Sequence, residues 1–131
     1  MTQSQTWKPT PFSIQRREGK APGMVIFSLS GPFTARDMYG SLTPLALRDM
    51  FNFQSTPNEK PPVLNILDLT GVPYMDSCGL GVIVTHYVHC QNKGIRLLLT
   101  GVNPRILELF KMTRVDTTLP IGTIAEEADL P

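Results

Sequence analysis

Residues 76–81 read Asp76-Ser77-Cys78-Gly79-Leu80-Gly81 and place a carboxylate, a hydroxyl and a thiol on consecutive positions. Ser77 stands where a helix begins, so its side-chain oxygen can cap the backbone amide of Leu80, three residues on, which has no partner inside the helix. Capping alone would explain a serine. The same oxygen, on a short loop that leaves a strand, is also a surface hydroxyl at the edge of a sheet, where α/β proteins commonly place their sites. A phosphate esterified to it would meet free backbone amides and the positive end of the helix dipole. Asp76 would orient the loop, or only satisfy amides at the same helix start.

Cys78 near a helix start would have a lowered pKa and some nucleophilic character. The position six residues later is Val84, so the Cys-x-x-x-x-x-Arg spacing of cysteine phosphatases is absent, as is any Cys-x-x-Cys. A small packed thiol is the favoured reading. Gly79 and Gly81 either admit a partner's backbone or allow close packing inside. No Gly-x-x-x-x-Gly-Lys occurs, and Gly79-Leu80-Gly81 lacks the third glycine of a dinucleotide fingerprint, so no bound nucleotide or other cofactor is expected. His86, His89 and Cys90 crowd five residues, but a metal needs further ligands from elsewhere, and Cys78 lies too far along the helix. No metal site is expected, and both histidines are expected to be exposed.

The elements that must position these groups follow from periodicity. Residues 1–11, polar and with two prolines around Trp7, read as a flexible lead-in, and residues 12–131 as one domain. Phe12, Ile14 and Arg16 alternate with Ser13, Gln15 and Arg17, and after a Gly/Pro turn comes Met24-Val-Ile-Phe-Ser-Leu-Ser-Gly31, which gives an initial β-hairpin. Thr34 to Phe53 has helical spacing and is interrupted by Pro44, which implies a helix in two pieces. A turn-rich loop follows, then a short apolar strand ending at Asp68 and Thr70. From Ser77, at about 100° per residue, Leu80, Ile83, Val84, Tyr87 and Val88 fall in one arc of about 140° and form the expected buried face. That helix should stop near Lys93 and Gly94. Ile95 to Gly101 is another buried strand, Asn103 caps a helix with Pro104 at its first position, and a short acidic stretch follows. Strands alternating with helices call for an α/β fold: a mixed sheet with helices packed on it.

Composition narrows the function. Twelve basic and 11 acidic side chains leave a net charge of +1, which gives no field to draw nucleic acid or anionic lipid. No apolar run approaches the roughly 18 residues of a membrane span, and Met1 to Phe12 has neither the basic start nor the apolar middle of a secretory signal, so a cytoplasmic protein is expected. Cys78 and Cys90, some 18 Å apart along one helix at 1.5 Å per residue, should stay reduced.

Taken together, Val63 to Val84, Gly94 to Asp116 and Ser28 to Ala35 resemble the STAS domain family, particularly the bacterial anti-sigma factor antagonists, over residues 12–128. The most specific piece is the strand with its Asp-Leu followed by Asp-Ser-x-Gly-Leu-Gly at a helix start. The resemblance implies a STAS-type sheet of four to five strands and phosphorylation on Ser77. It also implies a partner-switching cycle, in which the unphosphorylated antagonist binds an anti-sigma factor that is itself a serine kinase of the histidine-kinase-like ATPase type. The kinase phosphorylates the antagonist, and a metal-dependent PP2C-type phosphatase reverses this. ATP and metal belong to those partners, and the chain itself is expected to have no catalytic activity. The implied partner surface comprises Thr34, Tyr74, Met75, Asp76, Ser77, Cys78, Gly79, Leu80 and Gly81; a weak homodimer is left open. Two departures stand out: many relatives carry an acidic residue where this chain has Thr34, and Ser or Thr where it has Cys78. Rivals are a STAS scaffold that docks partners without phosphorylation and a Cys78 thiol enzyme.

Overall fold

The computed structural model describes residues 12–36 and 62–122. The expected lead-in over residues 1–11, the two-piece helix to Phe53, the loop that follows it and the acidic end lie outside the described residues. Within them run β1 (Ser13–Glu18), β2 (Met24–Ser30), β3 (Leu64–Gly71), α1 (Ser77–Asn92), β4 (Arg96–Thr100) and α2 (Pro104–Met112).

The four strands lie in sequence order in one sheet. β1 and β2 form the expected antiparallel hairpin, while β2–β3 and β3–β4 pair in parallel, the latter through α1. Because side chains alternate along a strand, the sheet sends two sets of apolar groups in opposite directions. Val25, Phe27, Leu29, Leu67, Leu69, Leu97 and Leu99 join the main core with Leu80, Ile83 and Cys90 of α1 and Ile106 and Phe110 of α2. Met24, Ile26, Leu64 and Ile66 form a second cluster, with Leu98 packed against it. Burial on both faces explains why β3 reads as a nearly unbroken apolar run. At one edge β1 exposes Arg16, Arg17 and Glu18, charges that discourage pairing with another chain. At the other, Leu99 bridges to Ile121 and exchanges hydrogen bonds with Pro120 and Gly122, so the edge of β4 is partly covered.

α2 has the expected start and α1 the expected stop. The Asn103 side chain accepts from Ile106 N at 2.9 Å, with Pro104 in the first turn. α1 closes at Lys93, after which Gly94 turns with a φ of +71° and Ile95 N reaches back to Cys90 O at 2.9 Å, a left-handed stop that suits glycine.

The inward face of α1 differs from the amphipathic expectation. Val88 is 46% exposed, whereas His86 is 4% exposed and Cys90 fully buried. The buried stripe is thus rotated by roughly 70° about the helix axis at 100° per residue. The cause is polar and lies on the sheet: Asn65 of β3 points at α1, and its Oδ1 meets His86 Nε2 at 2.5 Å while its Nδ2 donates to Val25 O at 3.1 Å. Phe27 stands edge-on to the imidazole at 6.2 Å. A histidine with a buried acceptor replaces the outward histidine that a purely apolar count requires. His89 is exposed, as expected.

Candidate functional site

The loop from β3 to α1 is held by the segment that follows β2. Gly31 N donates to Gly71 O at 2.9 Å, Phe33 N to Tyr74 O at 3.0 Å and Asp76 N to Phe33 O at 3.3 Å, and Phe33 and Met75 form a parallel bridge. Phe33 is fully buried and stacks on Phe12 at 4.5 Å, which anchors this ladder in the core. On the other side Asn103 Nδ2 donates to Val72 O and Pro73 O at 3.1 and 3.2 Å. The loop is therefore clamped from two directions before it reaches Ser77.

The helix cap is Asp76, not Ser77. Its Oδ1 accepts from Cys78 N at 3.0 Å and from Gly79 N at 3.1 Å, and Asp76 itself keeps extended backbone geometry. Ser77 is the first helical residue. A cap must sit one position outside the helix, and Leu80 N closes the first turn on Asp76 O at 3.0 Å, which moves the cap back by one. Asp76 Oδ2 accepts from Ala35 N at 3.1 Å and ties the segment after Thr34 to the helix start. One carboxylate thus serves three amides.

Ser77 is left exposed at the mouth of α1 with no hydrogen bond to its hydroxyl among the described residues. Of the helix-start amides, those of Cys78 and Gly79 are already taken by Asp76. A phosphoryl group here would stand beside a carboxylate and project outward, adding about −1.5 to −2 charges to the surface.

The remaining predicted residues divide by depth. Thr34, Tyr74, Met75 and Asp76 are half-buried, Cys78 and Gly81 are exposed, and Gly79 and Leu80 are turned inward. A Cβ on Gly79 would lie 2.2 Å from Phe33 O, so this glycine permits close packing; at Gly81 the space is open. Cys78, expected as a packed thiol, is at the surface, and the packed thiol is Cys90, 3.6 Å from His86 Nε2 and pushed up to about 12 by burial. Burial, with the neighbouring His89 second, lowers His86 to about 4 and keeps it neutral.

Among the described residues no side-chain hydrogen bond joins a base to the Ser77 hydroxyl or the Cys78 thiol. Among the described residues no group of three His, Cys, Asp or Glu side chains could hold a metal ion. An open cleft of about 420 Å³ runs along the loop, with Gly31, Pro32, Thr70, Pro73 and Asn103 in its walls. Sequence reasoning missed the second role of Asn103, the Ala35 amide and Arg105, whose guanidinium carbon lies 4.7 Å from the Tyr74 ring centroid. A polar residue that caps one helix carries no sequence signal for the loop it also holds.

Comparison with known proteins places this geometry. Over 61 residues the chain is 36% identical to the anti-sigma-B factor antagonist of Listeria monocytogenes, which covers 47% of this chain and 54% of that protein. The chain thus spans about half the length of that relative. It is also 28% identical over 107 residues to mouse solute carrier family 26 member 10, covering 80% of this chain and 16% of the transporter. Among solved structures, a putative anti-sigma factor antagonist from Thermotoga maritima superposes with a TM-score of 0.67 at 20% identity, covering 88% of this chain and 92% of that one. The Bacillus cell fate determinant SpoIIAA in its phosphorylated form does so with a TM-score of 0.58 at 16% identity, covering 89% and 97%. These structures share the fold. The family model described as the STAS domain matches residues 46–128, and with more than half of its length matched the chain belongs to the STAS domain family.

Proposed function

We propose that this protein is an anti-sigma factor antagonist that acts by binding, without catalysis, and is switched by reversible phosphorylation on Ser77. The observation that carries the reading is the exposed Ser77 hydroxyl at the first residue of α1, on a loop that Asp76 and Asn103 hold rigid. Its partner is an anti-sigma factor that is a serine kinase of the histidine-kinase-like ATPase type, bound when Ser77 is unmodified. A PP2C-type phosphatase restores the binding form. Relatives named as anti-sigma factor antagonists and a fold neighbour solved in a phosphorylated form support this reading. The contact surface includes Thr34, Tyr74, Met75, Ser77, Cys78 and Gly81, with Asp76, Gly79 and Leu80 shaping it from beneath.

The energetics suit a switch. A hundredfold loss of affinity requires about 2.7 kcal/mol, and burying an uncompensated phosphate in an interface costs at least that much. Because Asp76 occupies the cap, the new charge has a like-charged neighbour and no waiting pair of amides.

The test is incubation with the cognate kinase and ATP, site mapping, and binding of the kinase to wild type, Ser77→Ala and Ser77→Asp. Phosphate on Ser77, retained binding by Ser77→Ala and a hundredfold or greater loss for Ser77→Asp are expected. Absence of phosphate together with unchanged binding by Ser77→Asp would sink the switch. That outcome favours the second reading, a STAS module that docks partners without modification.

A further inference from the structure

We propose that the first turn of α2 forms a second half of the docking surface, with Arg105 as the residue that receives a carboxylate side chain from the partner. The inference rests on the reading of Ser77 given above and extends it to a part of the chain distant in sequence.

α2 is physically joined to the loop that presents Ser77. Asn103 uses its Oδ1 to cap α2 at Ile106 N and its Nδ2 to hold the carbonyls of Val72 and Pro73, so one side chain fixes the start of α2 and the approach to Ser77 together. Two residues along, exposed Arg105 lies over the ring of half-buried Tyr74, three residues before Ser77. The stack is this guanidinium's only interaction, with no ion pair or hydrogen bond among the described residues. Glu108, one turn on along the same helix, is not engaged with it.

Such an arginine is unusual in what it has already given up. Contact with an aromatic face restricts a guanidinium while leaving N–H groups for a further partner. Binding then loses less side-chain freedom than it would for a mobile cation. Tyr and Arg are also the side chains over-represented among residues that dominate binding energy. The chemistry that matches a free planar fork is a carboxylate approached in two-point geometry. Asp76, beside the loop, is committed to three backbone amides. The proposal assigns that carboxylate to the partner. Phosphorylation of Ser77 then brings negative charge towards the same acidic partner group that Arg105 attracts, so the two residues act in opposite directions on one interface.

The experiment uses the full chain and its cognate anti-sigma serine kinase. Affinity is measured at two salt concentrations for wild type, Arg105→Ala, Arg105→Lys, Arg105→Glu and Ser77→Asp, alongside Ser77 phosphorylation and thermal unfolding of each variant. Tenfold or greater weakening is expected for Arg105→Ala, more for Arg105→Glu, and only partial recovery for Arg105→Lys, with unfolding midpoints unchanged and a shallower salt dependence. Wild-type affinity in Arg105→Ala and Arg105→Glu, while Ser77→Asp still weakens binding, overturns the role of Arg105 and leaves the Ser77 switch standing. An Arg105→Ala effect confined to the phosphorylated protein overturns it too, since Arg105 would then bind the phosphate within its own chain. Failure of wild type to bind the kinase removes both readings.

Discussion

At the scale of single residues, position relative to the helix start decides chemistry. Asp76, one residue before α1, is a cap and a tie to Ala35; Ser77, one residue later, is an exposed acceptor. Asp76→Ala should cost about 0.5–2 kcal/mol, the usual range for a lost cap, as read by urea unfolding, and should also slow phosphorylation by loosening the loop. Unchanged stability would mean that the cap is dispensable. The two thiols should separate cleanly: an aromatic disulfide reagent reacts quickly with exposed Cys78 and reaches Cys90, buried and pushed up to about 12, only on unfolding. Fast reaction of two thiols in the native protein would contradict the packing of α1. His86 contributes a pH dependence. Its folded pKa of about 4 lies below the ordinary 6.5, so the unfolded chain binds a proton first. Its contribution is fully present above pH 6.5, is lost as pH falls from there to about 4, and is constant below. The loss is on the order of 3 kcal/mol at 1.36 kcal/mol per pK unit. His86→Gln, which can still donate to Asn65, should flatten that part of the stability profile.

At the scale of elements, α1 shows why two glycines in one motif are not equivalent. Gly79 faces Phe33 O at a distance that no Cβ tolerates, and Gly81 faces open space. Gly79→Ala should destabilise by about 1–3 kcal/mol, the range for overpacking, and disturb the Phe33–Met75 bridge. Gly81→Ala should stabilise by up to about 1 kcal/mol through helix propensity. Thermal unfolding of the pair checks this, and equal effects would show that the helix sits differently on the segment after β2. Because Gly81 is at the surface, the same variant reads out partner contact separately from stability. The rotated face of α1 belongs to this scale too: its apolar periodicity is weak because a histidine and a cysteine occupy inward positions, and only a polar group on the neighbouring strand makes that arrangement cheap.

At the scale of the whole molecule, the sheet gathers residues far apart in sequence at the carboxyl ends of its central strands. Thr34 after β2, residues 72–77 after β3 and Asn103 after β4 meet there because β2, β3 and β4 run parallel. Parallel order through α1 therefore builds the site as much as the core does. The same sheet has one polar orphan: Thr100 Oγ1, at the end of β4, is buried with no partner among the described residues. Thr100→Val, which keeps the shape and removes the hydroxyl, should be neutral or stabilise by up to about 1 kcal/mol. A loss larger than that in denaturant unfolding would reveal a hydrogen bond that the hydroxyl makes.

The sequence by itself determined the hairpin, the parallel strands, the stop of α1, the start of α2 and the motif that carries Ser77. Those features are local: alternation, turn residues and capping act within a few positions and leave direct marks in the chain. It also carried the resemblance to a family, because the Asp-Ser-x-Gly-Leu-Gly run stands in order with its flanking strands. Tertiary structure alone decided which residue caps α1, because that depends on a one-residue shift of the helix start and on the Ala35 amide, 41 positions away in the chain. It likewise decided that His86 is buried and neutral, that Cys78 is exposed and that Arg105 lies over Tyr74. Each depends on a partner brought near by the sheet, and no periodicity within one element can announce a neighbour that belongs to another.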